Sequence, residues 1–243
     1  MMHPAIPKIL RSACLGLLFL FLFLFLFLFL FLFLFLFLFL FLFLFLFLFL
    51  FLFLFLSACH RSPELAPLPT DAVVLAFGDS ITYGSGARPE ESYPAVLEQL
   101  IGKRVVNAGV SGEGTDEGKA RLPALLDEHR PALVIICLGG NDFLRHLDEA
   151  TTEANLREMV RTAQERGCGV LLVGIPRLGF GLEVPSLYER IARDAGIPLD
   201  EKSLKRILAD NPLKSDPIHP NAAGYRQLAE RIAAALRRSG AIP

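Results

Sequence analysis

Four short stretches, far apart in the sequence, carry the residue types that nucleophilic acyl transfer requires. The first is Gly78-Asp79-Ser80, which directly follows the apolar segment 72–77. A serine at the end of a strand is a candidate nucleophile when a base and an oxyanion site lie close to it. The tripeptide alone is weak evidence, because most serines in such positions begin turns or cap helices. The interpretation therefore depends on three later stretches.

The second stretch supplies a candidate base, His219, three residues after Asp216. Prolines beside both residues exclude a helix interior, and a turn of this length lets the Asp216 carboxylate reach one ring nitrogen of His219. That contact would orient the imidazole and leave its other nitrogen free to face Ser80. Alternatively, the stretch only precedes a helix that starts at Asn221, which explains the prolines but not the Asp–His spacing. The remaining histidines are less suitable bases, since they fall in a predicted signal, a tether, a polar helix end and a loop: His3, His60, His129 and His146.

The third requirement is a set of donors for the negative charge that develops on an acyl oxygen. The backbone N–H groups of Ser80 and Gly112 lie in predicted loops, where glycine permits close approach. Asn141, in a Gly-Gly-Asn-Asp motif, adds a side-chain amide. Taken alone, that motif is more typical of a simple turn after a strand. Together with Ser80 and the Asp–His pair, it favours an oxyanion site.

The elements that must position these residues alternate between strand and helix patterns. The predicted strands are 72–77, 104–107, 132–138, 169–175 and 197–199, and 84–91 is expected to be a loop. The predicted helices are 92–101, 115–129, 152–166, 185–195, 201–209 and 221–238. This order predicts a three-layer α/β/α fold, with a doubly wound parallel sheet of five strands between two helical layers. The loops after the first three strands, which carry Ser80, Gly112 and Asn141, are expected to gather at one sheet edge.

Residues 1–58 are expected to lie outside this fold. Two basic residues precede nineteen copies of Phe-Leu, from Phe19 to Leu56, and the sequence then reads Ser-Ala-Cys. A basic start, an apolar run and a small-residue site are typical of an export signal. The end of the run also resembles a bacterial lipobox, in which Cys59 would be lipidated; the alternative is a plain membrane anchor with an incidental cysteine. As one helix the repeat would measure about 57 Å, nearly twice the thickness of the hydrocarbon core.

This pattern predicts an exported bacterial protein of the cell envelope or periplasm, held by a lipid on Cys59 or by the apolar segment itself. Residues 59–71 are predicted to be a tether and residues 72–243 the folded domain. From Cys59 onward the chain carries 22 basic and 25 acidic residues. Because it has no basic run and no patch that interleaves basic with aromatic residues, nucleic acid is an unlikely partner.

Other site classes find no support in the sequence. Its cysteines lack zinc-ligand spacing, and Cys137 and Cys168 are expected to be buried without forming a disulfide framework. The glycines of 112–118 miss the dinucleotide-binding spacing, and there is no P-loop and no His-Glu-x-x-His motif. A Gly-x-Ser-x-Gly nucleophile elbow is also missing. No metal or cofactor is therefore predicted.

The motifs as a set resemble the GDSL, or SGNH, hydrolase family, in particular its bacterial arylesterase, thioesterase I and lysophospholipase branch. The family's blocks match, in family order, Gly78-Asp79-Ser80, Gly112, Gly139-Gly140-Asn141-Asp142 and Asp216-Pro217-Ile218-His219. The resemblance covers residues 72–238 and implies a flavodoxin-like fold, no metal, and hydrolysis of esters or thioesters through an acyl-serine. It implies that Ser80 is the nucleophile, His219 the base and Asp216 the residue that orients it. It also implies an oxyanion hole made by Ser80, Gly112 and Asn141.

The chain departs from that branch in one place, because the loop after its fourth strand is short. This loop helps to shape the acyl pocket in the branch, so the resemblance does not determine the length of the acyl chain. Apolar side chains near the motifs could form its walls or could equally be ordinary core or surface residues: Phe143, Leu144, Leu178 and Phe180.

Three functions remain to be distinguished. The first is a monomeric, membrane-held serine esterase acting on small-molecule substrates that are acyl esters or thioesters. The second is a deacetylase of cell-envelope carbohydrate, which would use the same residues and a shallower, more polar pocket. The third is a non-enzymatic envelope lipoprotein, which the complete Ser/Asn/Asp/His set disfavours.

Overall fold

Five parallel strands rich in Val, Ile and Leu form the centre of the fold. The computed structural model describes residues 8–57, 63–178 and 181–243. The strands are β1 (Val73–Gly78), β2 (Arg104–Gly109), β3 (Leu133–Cys137), β4 (Gly169–Val173) and β5 (Leu199–Asp200), in the order β2-β1-β3-β4-β5. Every residue of β3 is buried, as expected of a central parallel strand covered on both faces. The predicted five-stranded parallel sheet is confirmed.

Helices pack against the sheet in two groups. In chain order, α1 (Lys8–Ser57) belongs to the separate N-terminal unit, and the helices of the folded unit are α2 (Ser80–Tyr83), α3 (Tyr93–Ile101), α4 (Thr115–His129), α5 (Gly140–Leu144), α6 (Glu149–Glu165), α7 (Leu187–Ala195), α8 (Ser203–Ala209) and α9 (Ala222–Arg238). In one group α9 contacts both α3 and α8; in the other α6 contacts both α4 and α7. The sheet lies between these layers, which confirms the predicted α/β/α architecture.

Strand order determines where a ligand site can form. The chain passes from β1 to β2 on one side and then returns to β3 on the other side of β1, with all pairings parallel. Such a reversal opens a crevice at the carboxyl ends of the central strands. The loops after β1, β2 and β3 begin at this edge, and they carry Ser80, Gly112 and Asn141, respectively.

The structure differs from the predicted elements mainly where helices are short. Helices α2 and α5 have four and five residues, too few to show the 3.6-residue period that reveals a helix in sequence. The predicted loop 84–91 contains a 3₁₀ helix, Pro89–Glu91, and another spans Asn211–Leu213. Strand β5 lies at Leu199–Asp200, slightly later than predicted, and α6 begins earlier, where Asp148 caps it by accepting from the Thr151 N–H at 3.0 Å.

The N-terminal unit consists of α1, which contains the Phe-Leu repeat. Its apolar part, Gly16–Leu52, is long enough to cross a membrane and has a mean hydropathy of 3.4. Period-2 alternation is therefore compatible with a helix here, since Phe and Leu are both apolar and the alternation creates no polar face. Cys59 and the first part of the predicted tether lie outside the described residues.

The described part of the predicted tether is attached to the folded unit. Residues 63–69 form no helix or strand, yet the Leu65 N–H donates to the Ser239 carbonyl and the Leu68 N–H donates to the Ala241 carbonyl, both at 2.8 Å. Both leucine side chains also pack against the hydrophobic core. This segment therefore lies along the C-terminal end of the chain.

Candidate active site

Ser80 is the first residue of α2, immediately after the end of β1. Asp79 caps this helix by accepting a 3.0 Å hydrogen bond from the Ile81 N–H. The sharp passage from strand to helix requires glycine at 78, because a Cβ atom there would lie 2.1 Å from the Cys137 carbonyl oxygen. Local structure thus places the Ser80 hydroxyl at the carboxyl edge of the sheet, where it is half-buried.

His219 and Asp216 lie on a tight turn just before α9. Both the Ile218 N–H and the His219 N–H donate to Asp216 Oδ1 at 2.8 Å, which closes the turn. His219 Nδ1 lies 2.7 Å from Asp216 Oδ2, and its Nε2 lies 3.0 Å from Ser80 Oγ. The structure therefore brings the predicted serine, histidine and aspartate into one line of hydrogen bonds.

The charge of Asp216 decides which nitrogen of His219 carries the proton. Partial desolvation raises the pKa of this carboxyl, but hydrogen bonds from the His219 ring and from two backbone N–H groups outweigh it, and the pKa falls below its ordinary value. An ionised carboxylate only accepts, so Nδ1 donates to it and Nε2 is left as an acceptor for the Ser80 hydroxyl. This is the tautomer that a general base for Ser80 requires.

Asn141 connects the two loops that carry the other candidate oxyanion donors. Its Nδ2 donates to the Glu113 carbonyl at 3.0 Å and, more weakly, to Asp79 Oδ2 at 3.4 Å. Glu113 follows Gly112 and Asp79 precedes Ser80, so the amide lies between the predicted donor groups. Within the described residues, the N–H groups of Ser80 and Gly112 have no protein acceptor. The two backbone donors are thus available to an oxygen bound at this edge, whereas the Asn141 amide would exchange its weak 3.4 Å contact with Asp79 for such an oxygen.

Gly112 depends on its left-handed backbone, with a φ of 81°. Arg145, which follows the last residue of α5, stabilises this turn, because its Nη2 donates to the Gly112 carbonyl at 2.7 Å. The neighbouring Glu113 pairs with Arg121 at 2.6 Å. Sequence reasoning missed the Arg145–Gly112 contact, which spans 33 positions, and the Glu113–Arg121 pair, which spans eight, since no motif marks either contact.

Asp142 is buried behind the site and does not line the cavity. This buried carboxylate accepts from the Thr115 N–H at 3.0 Å and from the Thr115 hydroxyl at 2.5 Å. Thr115 also accepts from Asn155 on α6. The network joins the loop after β3 to the start of α4, so it fixes Asn141 and Gly112 relative to each other.

A cavity of about 490 Å³ opens beside Ser80 and His219. Three of the four predicted acyl-pocket residues line it, Phe143, Leu144 and Leu178, whereas Phe180 lies outside the described residues. Other apolar walls come from positions with no sequence signal, namely Ile175, Leu208 and Ile218. His146, predicted to lie in a loop, also lines the cavity, but His219 is the histidine within hydrogen-bond distance of Ser80.

Residues 76–227, which contain all the groups described above, match the model of the GDSL-like Lipase/Acylhydrolase family. The chain belongs to this family. Esterase TesA of Pseudomonas aeruginosa is 33% identical over 193 residues, which covers 73% of this chain and 94% of TesA. Thioesterase 1/protease 1/lysophospholipase L1 of Escherichia coli is 31% identical over 173 residues, covering 68% and 83%.

Solved structures agree with this assignment to the GDSL family. The crystal structure of TesA aligns with a TM-score of 0.62 at 33% identity, covering 68% of this chain and 98% of that one. AlinE4, an SGNH-hydrolase family esterase, aligns at 0.54 and 33%, covering 70% and 96%. The chain is therefore a GDSL-type serine esterase with the SGNH hydrolase fold. Because these crystallised chains are covered almost completely, residues 63–243 are expected to fold without α1.

Asp79, the aspartate of the GDSL motif, gives the folded protein an unusual pH dependence. Burial raises its pKa from 3.8 to about 7, although the Ile81 N–H and the nearby His219 oppose the shift. The folded state therefore keeps a proton that the unfolded chain releases, and the free energy of unfolding falls as pH rises from about 4 to about 7.

Asp79→Asn is expected to remove this pH dependence, because the amide does not titrate. Wild type loses stability as pH rises and the variant does not. The free energy of unfolding of the variant minus that of wild type should therefore increase by up to about 4 kcal/mol from pH 4 to pH 8. Urea unfolding of residues 63–243 at both pH values measures the change. The matched control is Asp116→Asn, which alters an exposed carboxylate on α4. An equal gain in that control would contradict the assignment.

Proposed function

We propose that this esterase cleaves medium- and long-chain acyl esters and thioesters, with Ser80 as the nucleophile. The observation that carries the proposal is that Ser80 and His219, hydrogen-bonded in series with Asp216, line a cavity with several apolar walls. A volume of about 490 Å³ lies within the usual range for small-molecule sites. An acyl chain would bury its methylenes against these walls while its carbonyl carbon sits beside Ser80 Oγ.

The reaction follows from the roles that this geometry supports. Ser80 Oγ attacks the acyl carbon while His219 Nε2 takes the hydroxyl proton, and Asp216 stabilises the resulting imidazolium. The developing oxyanion accepts from the N–H groups of Ser80 and Gly112 and from the Asn141 amide. His219 then protonates the departing alcohol or thiol as the carbon–oxygen or carbon–sulfur bond breaks. Water, deprotonated by His219, releases the acid from the acyl-serine by the reverse sequence.

The apolar part of the cavity lining favours medium and long acyl chains over acetyl groups. Apolar side chains extend the site beyond Ser80 on several elements: Phe143, Leu144 and Leu147 around α5, Ile175 and Leu178 after β4, and Leu208 on α8. The names of the relatives from Pseudomonas aeruginosa and Escherichia coli, an esterase and a thioesterase/lysophospholipase, point the same way. A carbohydrate deacetylase would instead need a shallow wall that offers hydrogen bonds to sugar hydroxyls.

The substrate proposal is tested with a p-nitrophenyl ester series from acetyl to palmitoyl and with matching acyl thioesters. We expect kcat/KM to rise from acetyl to a medium chain. Leu144→Trp, which narrows the cavity, should lower the ratio of long-chain to acetyl kcat/KM by about 10-fold or more. Leu100→Trp is the control, because Leu100 is similarly exposed, on α3, away from the cavity. Activity confined to acetyl groups, with turnover of acetylated glycan, would select the deacetylase.

Asn141→Ala is expected to lower kcat by about 10²- to 10³-fold with little change in KM. The amide contributes mainly when negative charge develops on the acyl oxygen, so its loss affects the transition state more than substrate binding. Steady-state kinetics with a medium-chain ester measures the split. The control is Asn107→Ala, which removes a similar amide from β2, where it contacts the Tyr83 carbonyl. A rise in KM with kcat unchanged would assign Asn141 to substrate binding instead.

We also propose that the chain acts as a monomer outside the cytoplasm and is held at a membrane through its N-terminal segment. The helix Gly16–Leu52 supports this, by its length and composition, and so does the small-residue site before Cys59. Metabolic labelling with a radioactive fatty acid would separate the two modes of attachment. Label lost in Cys59→Ser indicates a lipid anchor, whereas unlabelled protein that stays in the membrane fraction indicates the apolar helix.

A further inference from the structure

Charge is divided unevenly along the folded part of the chain. Residues 63–200 contain 13 basic and 21 acidic residues, whereas residues 201–243 contain 8 basic and 4 acidic ones. The C-terminal segment, which includes α8 and α9, is thus positive on a domain that is otherwise negative. Such an asymmetry indicates a preferred contact with an anionic surface.

Ion pairs are also divided unevenly between the parts of the chain before and after residue 200. Ten of the thirteen basic residues between 63 and 200 form ion pairs. In the described part of the chain, none of the eight basic residues after 200 does so. Arg237 donates from its Nε to the Pro243 oxygen at 3.2 Å, and the charges of the other seven remain available to a partner.

Five of these side chains form one exposed patch, which we call the basic face: Lys202, Lys205, Arg206, Arg231 and Arg238. Four of them line a common cavity of about 320 Å³ between α8 and α9, together with the acidic residues Asp200 and Glu201. Lys205 continues the face along α8, where it shares a second cavity with Lys202 and Arg206. The helices α8 and α9 therefore present their charges as one surface.

The two ends of the basic face adjoin the start of the folded unit and the cavity beside Ser80. At one end, Leu65 donates to the Ser239 carbonyl, next to Arg238, so the chain coming from the apolar N-terminal segment joins the domain here. At the other end, Leu208 of α8 lines the cavity beside Ser80. A surface bound through the basic face would thus lie near both the attachment point and the substrate cavity.

We infer that the basic face docks the esterase domain onto an anionic phospholipid bilayer. Unpaired basic side chains attract anionic headgroups through the negative surface potential of a membrane. A nucleic acid fits less well, because no aromatic side chain accompanies the five charges to stack on bases. The inference concerns binding and does not depend on the proposed acyl specificity.

Co-sedimentation with vesicles tests the inference, using residues 63–243 carrying Ser80→Ala so that no lipid is hydrolysed. We expect binding to vesicles of equal parts phosphatidylcholine and phosphatidylglycerol, and little binding to phosphatidylcholine alone. The triple variant Arg206→Gln, Arg231→Gln, Arg238→Gln should bind about 100-fold more weakly, since each basic residue near the surface contributes roughly fivefold. Binding should also be lost at about 1 M salt, where the Debye length is about 3 Å.

The matched control removes three unpaired basic charges at the amino ends of β2 and β3, through Lys103→Gln, Arg104→Gln and Arg130→Gln. This control should keep most of the vesicle binding. When the two triple variants are made with Ser80 intact, both should hydrolyse a soluble ester as fast as wild type. Equal loss of binding in both triple variants would overturn the inference, because net charge alone would then explain it. Equal binding to neutral and anionic vesicles, or retention on DNA without vesicle binding, would also overturn it.

Discussion

Replacing Ser80 with alanine is expected to lower kcat/KM for p-nitrophenyl esters by at least about 10⁴-fold. Alanine lacks the oxygen that attacks the acyl carbon, so no acyl-enzyme can form. The fold should persist, because the cap of α2 is the Asp79 side chain and not the Ser80 hydroxyl. Ester hydrolysis, measured together with thermal unfolding of the same protein, separates loss of chemistry from loss of structure.

A second serine provides the control for this substitution. Ser111 lies beside Gly112, and its hydroxyl contacts that of Ser85 at 3.2 Å, but among the described residues it forms no hydrogen bond with a histidine. Ser111→Ala should therefore hydrolyse esters at nearly the wild-type rate. A Ser80→Ala protein that is folded and remains fully active would contradict the proposed nucleophile.

His219→Ala is expected to lower kcat by about 10⁴-fold or more, because Ser80 then loses the base 3.0 Å from its hydroxyl. The loss should not add to that of Ser80→Ala, since both residues serve the same proton transfer. In the double variant, residual activity should equal that of the Ser80 variant alone. Single-turnover kinetics with a medium-chain ester measures the rate of product release by each protein.

The matched control for His219 is His146→Ala, because His146 lines the same cavity. We expect only a modest change in kcat there. A large loss in the His146 variant combined with an active His219 variant would transfer the role of base to His146. That result would also leave the short contact between His219 and Asp216 without a function.

The chemical residues could be predicted because each depends on short-range sequence features. Asp216 and His219 are three residues apart on a turn, and the structure gives their contact as 2.7 Å. Asn141 follows a buried strand, so the sheet order alone brings it to the edge where Ser80 lies. Strand β3 was evident as an unbroken apolar run, and α9 from the cap at Asn221, whose side chain accepts from the Ala223 N–H.

Contacts through space could not be predicted from the same sequence. Arg145 donates to the Gly112 carbonyl across 33 positions. Leu208 lines the cavity from α8, which follows β5, the last strand of the sheet. The basic face was missed for a similar reason. Its charges are spread over α8 and α9 and form no run, so only the packing of these two helices brings Arg206 together with Arg231 and Arg238.

The central claim is that Ser80 becomes acylated with His219 as its base. The most direct test is labelling of residues 63–243 with a fluorophosphonate, followed by mass mapping of the peptides. We expect one adduct per chain, on Ser80, with loss of ester hydrolysis in proportion to labelling and a much slower reaction in His219→Ala. An adduct on another serine, or continued hydrolysis after Ser80 is fully labelled, would contradict the account.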